Sequence, residues 1–208
     1  MKHRGIVFAL ALSLSVMGFS SPALAYWAWG KTWSQPTAVR WVYAWSASFS
    51  SAEKTLINRA ALAFNARNGS SLRVDGATFT SSASALDSAT FQFARTIPSG
   101  DFPDNVPGLT WRGSSNPLTN LTNRATVYLN PNWSWQNYFD FSARVADFET
   151  VALHEFGHAH GLGHPFNDCP ARYNCPMTAL EMESVMNPTG EIKRTLKSDD
   201  LAGLAAIY

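Results

Sequence analysis

Three quarters of the way along the chain stands the sequence His154-Glu155-Phe156-Gly157-His158-Ala159-His160-Gly161-Leu162-Gly163-His164. Residues four apart on a helix lie about 40° from each other around its axis, so His154 and His158 project from one face, one turn apart. Two imidazoles in this arrangement can bind one metal ion. Gly161 can take the left-handed conformation that ends a helix. His164 can then approach the same ion from outside the helix.

Three imidazoles beside a carboxylate favour a catalytic zinc site. Zinc in proteins is usually tetrahedral, so three histidine ligands at about 2.0–2.1 Å leave the fourth position to water. Glu155 lies about 100° around the helix from His154, too far to join the ligands easily but close enough to reach that water as a general base. The alternative is a buried helix whose histidines only satisfy hydrogen bonds in the core. We expect His160, about 140° from the metal-facing side, to lie at the surface or in packing.

The pattern HExxHxxGxxH resembles the metzincin clan of zinc endopeptidases, and all its fixed positions are present. The segment Ser184–Pro188 matches the methionine turn of that clan, and Leu196–Tyr208 looks like the closing helix of the matrixin family. The resemblance implies an α+β fold with a twisted, mostly parallel mixed sheet, two long helices and a small C-terminal subdomain that ends in a helix. It also implies that Met186 forms an apolar floor beneath the zinc ligands.

The resemblance implies a zinc-dependent endopeptidase that hydrolyses peptide bonds through a zinc-bound water, with Glu155 as general base. Its partner would be a protein or peptide substrate, bound extended along the cleft and paired with an edge strand at Ala125–Asn130. Val151 on one side, with Pro188 and Thr189 on the other, would form the walls of the substrate pocket. Two alternatives stay open: a secreted zinc-containing binding or adhesion module, and a peptide hydrolase of narrow specificity.

The subfamily assignment is mixed between matrixins and serralysins. Pro165 stands where matrixins usually have serine and where serralysins have proline. Pro188 stands where serralysins and astacins have a tyrosine that contributes to the zinc site. Stabilisation of the oxyanion is therefore expected to come mainly from zinc and the backbone.

The region around Asp101 and Asp104 corresponds to the part of matrixins that holds calcium and a second, structural zinc. The two carboxylates could ligate calcium, or they could simply be solvated turn residues. The structural zinc site of matrixins is rich in histidine, and this chain has no histidine between His3 and His154. The sequence therefore predicts one catalytic zinc ion, with calcium as an open question.

The first 25 residues have the pattern of a secretory signal peptide. Lys2 and Arg4 precede an apolar run at Ile6–Leu14, and Ala23-Leu24-Ala25 has the form of a cleavage site. The run is too short to span a membrane. We expect residues 26–208 to form one catalytic domain, secreted to the exterior or the periplasm. Residues 26–163 would form its upper part, with the sheet and the zinc helix, and residues 164–208 its lower part.

Charge and cysteine content restrict the partners of the mature chain. The whole chain has 16 basic and 15 acidic residues. Removal of the signal deletes two basic residues, so the mature chain is nearly neutral and nothing favours nucleic acid or an anionic membrane. We expect a monomer. Cys169 and Cys175 predict a disulfide that closes a small loop in an exported protein, with zinc ligation as the alternative.

Local patterns predict the elements that precede the metal motif. Asp147 has the position of an N-cap for the zinc helix. A group of tryptophans at Trp27, Trp29 and Trp33 predicts either packing of the N-terminal segment or a contact over the cleft. The spacing of apolar residues and turn signals predicts a helix at Ser51–Arg67, strands at Arg40–Trp45, Leu72–Val74, Ala89–Thr96 and Ala125–Asn130, and a loop at Ser99–Gly108.

Overall fold

The structure, a computed structural model, describes residues 32–33, 39–45, 48–66, 73–81, 91–95, 103, 105–113, 121–165 and 177–208. Several predictions lie outside these residues. They are the signal peptide at residues 1–25, the tryptophans Trp27 and Trp29, the candidate calcium ligands Asp101 and Asp104, and the cysteine pair Cys169 and Cys175.

The described residues form strands and helices in an order typical of an α+β protein. The helices are α1 (Ser51–Ala63), followed by a 3-10 turn at Phe64–Ala66, then α2 (Phe148–Ala159), α3 (Ala179–Glu183) and α4 (Ser198–Ile207). The strands are β1 (Thr32–Trp33), β2 (Val39–Trp45), β3 (Arg73–Thr80), β4 (Phe91–Ala94), β5 (Gly108–Gly113), β6 (Leu121–Thr122), β7 (Arg124–Leu129), β8 (Ser134–Gln136) and β9 (Val145–Asp147).

Five of these strands form the main sheet in the order β3-β2-β4-β7-β5. The pairs β2–β3, β2–β4 and β4–β7 are parallel, whereas β5 runs antiparallel to β7. The mixed, mostly parallel sheet predicted from the resemblance is therefore confirmed. The two longest helices have 13 and 12 residues, and α1 ends four residues before the predicted Arg67.

The prediction that Ala125–Asn130 is the edge strand was wrong. It corresponds to β7, which lies between β4 and β5, and among the described strands the two edges of the sheet are β3 and β5. The segment Gly108–Gly113 follows Pro103 and Pro107, whose turn signals made the whole approach to it look like a loop. A strand signal also carries no information about which neighbours the strand will have, because pairing is decided by the packing of the whole sheet.

Helix α1 begins at a capping box and packs against α2. The Ser50 hydroxyl accepts a hydrogen bond from the Glu53 backbone N–H at 3.3 Å, and the Glu53 carboxylate accepts one from the Ser50 N–H at 2.8 Å. These bonds satisfy two donors that a helix N-terminus leaves unpaired. At its other end the Phe64 ring lies 4.7 Å from the Phe156 ring of α2.

Helix α2 carries the metal motif and is the most deeply buried helix of the described chain. As predicted, Asp147 caps it, accepting a hydrogen bond from the Thr150 N–H at 2.9 Å. Of its twelve residues, only His154 is not buried. Leu153 and Phe156 are fully enclosed, and Phe156 stacks on Phe93 of β4. Burial on this scale fixes the position of the helix on the sheet.

The chain after the metal motif is tied to α4. The Asp200 carboxylate accepts hydrogen bonds from the Ser184 hydroxyl at 2.6 Å, the Val185 N–H at 3.0 Å and the Lys197 N–H at 2.8 Å. One side chain of α4 therefore holds the turn that contains Met186. Among the residues described, no helix is both long and apolar enough to cross a membrane.

Candidate metal centre

The three histidines of the motif bring their ring nitrogens together at one point. The Nε2 atom of His164 lies 3.1 Å from the Nε2 of His154 and 3.1 Å from that of His158. Within the described parts of the chain, these three residues form a group that could hold a metal ion. The structure thus brings together the three ligands that the sequence predicts.

The orientation of two of these rings leaves their Nε2 lone pairs facing the cluster. The Nδ1 of His154 lies 2.9 Å from the Val185 carbonyl oxygen, and the Nδ1 of His158 lies 2.8 Å from that of Leu162. A carbonyl only accepts, so each Nδ1 is the protonated donor and each Nε2 carries the lone pair that can bind a metal ion.

Burial also keeps these two imidazoles neutral. It lowers the pKa of His154 to about 4. Burial, together with the neighbouring His154 and His164, holds the pKa of His158 well below its usual value. Neutral imidazole is the form that binds metal.

The donor set fits a tetrahedral zinc ion. Nitrogen ligands about 2.0–2.1 Å from zinc lie about 3.3 Å from each other in a tetrahedron, close to the 3.1 Å separations observed. Nitrogen lone pairs directed at each other repel unless a cation lies between them. The arrangement of this site is therefore that of a metal centre with imidazole ligands.

A sharp chain reversal after α2 delivers the third imidazole. The helix ends at Ala159, and Gly161 follows with φ of 99°, a conformation that glycine adopts without strain. The Leu162 N–H then donates to the Gly157 carbonyl at 3.0 Å, which closes the helix end. The glycine of the motif has the role that its position predicts.

Glu155 lies next to the metal ligands, and β5 fixes its position. Its side chain is 6% exposed. The Thr110 hydroxyl lies 2.7 Å from Glu155 Oε2 and 2.8 Å from the Glu155 backbone oxygen. Burial raises the pKa of the Glu155 carboxyl to about 7, although the hydrogen bond from Thr110 opposes this. A buried carboxyl that titrates near neutrality suits proton transfer.

Gly108 makes room for this carboxylate. A Cβ atom at position 108 would lie 2.6 Å from Glu155 Cγ and 2.9 Å from Cγ1 of Val151. These distances are shorter than carbon atoms tolerate, so only glycine lets β5 approach α2 this closely. The sequence analysis missed Gly108 and Thr110 as residues of the site because it placed the cleft-side strand elsewhere.

Met186 lies against the zinc helix at Gly157. It is 2% exposed, and its Sδ atom would lie 2.3 Å from a Cβ atom on Gly157. The helix therefore needs glycine at this point so that the methionine can press against its backbone. Met186 is thus buried against the helix that carries two of the histidines, and its role as an apolar floor stays a prediction.

A cleft of about 550 Å³ opens in front of the histidines and Glu155. Its walls include the three residues named from the resemblance, Val151, Pro188 and Thr189. They also include two aromatic residues that the sequence analysis did not name, Phe139 and Phe141.

His160 points away from the metal into the core. It is fully buried, its ring stacks on Phe64 at 4.8 Å, and its backbone oxygen accepts a hydrogen bond from the Tyr208 hydroxyl at 2.9 Å. Trp33, one of the tryptophans of the N-terminal segment, donates its indole N–H to the Ala159 oxygen at 3.2 Å. Both side chains therefore pack around the end of the zinc helix, and Trp33 does not lie over the cleft.

The site consists of an imidazole cluster and a buried carboxylate on a helix beside the edge of a mixed sheet. This arrangement is typical of metal-dependent hydrolases. A family model described as Matrixin, of the M10 peptidases, matches residues 76–208. The match spans well over half of the chain and includes the whole metal motif, so the chain belongs to the matrixin family. Membership indicates a metallopeptidase domain with zinc as its metal and a peptide as its substrate.

Comparisons with individual proteins add little to the family match. No curated protein matches the chain significantly. A solved structure described as "Structure of myroilysin" superimposes with a TM-score of 0.48 and 13% sequence identity, covering 88% of this chain and 98% of that chain. This likeness is too distant to say what the present chain does.

Proposed function

We propose that this protein is a secreted zinc endopeptidase in which Glu155 is the general base. The observation that carries the proposal is the placement of Glu155 beside three imidazole nitrogens in one cleft. A site of this kind needs a group that accepts a proton next to the group that binds the metal, and the two are adjacent in α2.

The roles of the metal ligands follow from their geometry. His154, His158 and His164 would hold the zinc ion through Nε2, while the carbonyl oxygens of Val185 and Leu162 keep two of the rings in the required tautomer. Bound zinc would supply a Lewis acid that polarises the scissile carbonyl and makes water easier to deprotonate. The buried methionine floor at Met186 would keep the ligand helix at a fixed height.

Glu155 would move the proton. Its carboxylate takes a proton from the attacking water and then passes it to the departing amine nitrogen, so no covalent intermediate with the protein is needed. The Thr110 hydroxyl holds one carboxylate oxygen, which leaves the other, Oε1, for the proton. General acid–base catalysis of this kind contributes about 10²- to 10⁴-fold to the rate.

An extended peptide would bind along β5. This strand pairs with β7 on one side only within the described residues, so its other side offers backbone N–H and C=O groups to a substrate. The cleft walls at Val151, Pro188 and Thr189 would receive a substrate side chain. Main-chain hydrogen bonds would give affinity, and the pocket would give selectivity.

The remaining parts of the proposal rest on sequence patterns. Residues 1–25 would direct export and be removed, leaving residues 26–208 as a monomeric catalytic domain. Cys169 and Cys175 would form a disulfide in the oxidising exterior. Asp101 and Asp104 are the candidate calcium ligands, and mass spectrometry of the exported chain together with calcium titration would test these points.

Hydrolysis of casein during zinc removal and restoration tests the proposed function. We expect cleavage by the zinc-loaded chain, loss of cleavage on chelation and recovery when one zinc per chain is restored. His164→Gln should bind zinc more weakly and cleave poorly, whereas Glu181→Gln, on exposed helix α3, should match the parent. Full zinc occupancy without cleavage of casein or short peptides would contradict the proposal and favour a binding module.

A further inference from the structure

The edge strand β5 carries two exposed apolar side chains, Leu109 and Trp111, on the face that points away from Glu155. Side chains alternate along a strand, so Gly108, Thr110 and Arg112 share one face while Leu109 and Trp111 share the other. The first face lies toward α2, as the contacts of Gly108 and Thr110 with Glu155 show. Leu109 and Trp111 are 39% and 51% exposed.

These two side chains lie beside buried residues of the neighbouring strand β7. In the register of the antiparallel pair, Leu109 lies opposite Tyr128 and Trp111 lies opposite Thr126. Both partners on β7 are buried. Leu109 and Trp111 therefore form an exposed apolar strip at the edge of the sheet, next to buried residues of β7.

The Trp111 ring lies over Gly113 of the same strand. A Cβ atom at position 113 would lie 2.2 Å from Cη2 of Trp111, so the indole lies directly over the backbone of Gly113. A side chain at position 113 would displace the ring. Trp111 thus presents a half-exposed aromatic surface along the edge strand, and aromatic side chains contribute much to an interface when they are covered.

An exposed apolar edge strand promotes aggregation unless another chain covers it. Proteins usually protect such edges with charges or proline on the exposed face, because an uncovered edge invites pairing with other chains. The exposed strip of β5 has neither at Leu109 or Trp111. Leu109 also lines the cleft that contains the metal ligands, so the strip is continuous with the catalytic centre.

We propose that Leu109 and Trp111 select apolar side chains at two substrate positions that are two residues apart. The inference rests on the proposed peptidase function, in which the substrate adds to β5 as a further strand. Residues directly opposite each other on neighbouring strands interact, and aromatic or branched pairs are favoured. Because Leu109 and Trp111 are two apart, their substrate partners are also two apart, whichever direction the peptide runs.

The test is a cleavage-site profile of denatured proteins by the zinc-loaded chain and its variants, read by mass spectrometry. We expect the parent to favour apolar residues at two positions separated by one residue. Trp111→Val should lose the preference at one of them, and Leu109→Ala should lose it at the other. Tyr138→Ala and Leu180→Ala, which alter equally exposed side chains outside the cleft, are the matched controls and should keep the parent profile.

Two peptides that differ at one position then measure how much the contact with Trp111 contributes to cleavage. For a peptide with leucine at the position that Trp111 selects, Trp111→Val should lower kcat/KM by up to about fivefold, mainly through KM. The same peptide with alanine there should be cleaved nearly equally by both enzymes. Unchanged profiles in both variants, or altered positions that are not two apart, would overturn the inference while the parent still cleaves. Absence of cleavage by the parent would instead refute the proposed function.

Discussion

At the scale of single residues, the site depends on contacts between α2 and β5 that are short and specific. Glu155 is adjacent in sequence to a metal ligand, but its carboxylate is positioned by residues almost fifty places earlier in the chain. The sequence motif predicts that a base is present. It does not predict Thr110 or Gly108, because their roles arise only when the strand lies against the helix.

Replacement of Thr110 by valine should lower turnover without loss of zinc. The substitution keeps the shape of the side chain but removes the hydroxyl that bonds to Glu155 Oε2. A hydrogen bond of this kind is worth about 0.5–1.5 kcal/mol, so we expect kcat to fall roughly 2- to 10-fold. Thr110→Ser, which keeps the hydroxyl, should stay close to the parent. Equal kcat values for the valine variant and the parent would show that this bond does not position the base.

Replacement of Gly108 by alanine should be more damaging to activity. The added methyl group would overlap Glu155 Cγ and Val151 Cγ1, and both lie on a helix too deeply buried to move away. We expect kcat/KM to fall by at least about tenfold, which corresponds to 1.4 kcal/mol. Zinc content should be unchanged, because the ligands lie on other residues. Full activity would mean that β5 can withdraw from α2 at little cost.

At the scale of elements, the helices were easier to predict than the strands. Asp147 sits at the helix start that its sequence position indicates, and Ser50 caps α1 directly before the predicted start at Ser51, because a cap acts through bonds to residues within three places. The Gly161 turn is local in the same way. The strand β5 is different, since its identity as the edge depends on distant β2, β4 and β7, and local turn signals around Pro107 obscured its start.

The N-cap of the zinc helix should contribute measurably to stability. Asp147→Ala removes the acceptor for the Thr150 N–H and also the partner of Arg194. We expect a loss of about 1–2 kcal/mol in the free energy of unfolding by urea. Asp147→Asn keeps a cap oxygen and should lose less. An unchanged free energy in the alanine variant would contradict this account of the helix start.

The pKa of Asp147 predicts how its contribution to the free energy of unfolding depends on pH. Burial would raise the pKa of Asp147, but hydrogen bonds from Arg194 and Thr150 outweigh it and hold the pKa below the usual 3.8. A carboxylate with a depressed pKa stabilises the fold above its unfolded-state pKa, and the contribution disappears as pH falls below that value. The difference between the parent and Asp147→Ala should therefore shrink below about pH 4.

Asp199 in α4 should have the opposite pH dependence. Burial, with the charges of Asp200 and Glu181 nearby, raises the pKa of Asp199 from 3.8 to about 6. The folded state therefore binds this proton more tightly than the unfolded state, and ionisation costs stability as pH rises from about 4 to about 6. Asp199→Asn should raise the unfolding temperature at pH 8 but change it little at pH 4. A lower unfolding temperature at pH 8 would show that the charge of Asp199 is stabilising.

At the scale of the whole molecule, the metal centre and the cleft differ in how far they could be predicted. All three imidazoles and Glu155 come from eleven consecutive residues, so the motif alone predicts their meeting. The cleft is assembled from β5 and its approach, the loop at residues 139–141, α2 and the segment after Met186. No local pattern links these parts, which is why Phe139 and Phe141 could not be named in advance.

Zinc should stabilise the fold without being required for it. The ion would join α2 to the segment beyond Gly161, whereas the core of the described chain is formed by apolar residues of the sheet, α1 and α2. A ligand that binds only the folded state at 100 times its Kd adds about 2.7 kcal/mol. We expect chelation to lower the unfolding temperature by several degrees while the far-ultraviolet circular dichroism at 25 °C stays close to that of the zinc-loaded protein. Complete unfolding on chelation would contradict this division of roles.

The most direct test of the central claim compares the parent with Glu155→Gln at equal zinc occupancy. The substitution preserves the size of the side chain and its bond to Thr110 but removes the proton acceptor. Peptide hydrolysis should fall by about 10²- to 10⁴-fold in the variant, while both proteins hold one zinc per chain. Comparable turnover by the two proteins would contradict the claim that Glu155 is the general base.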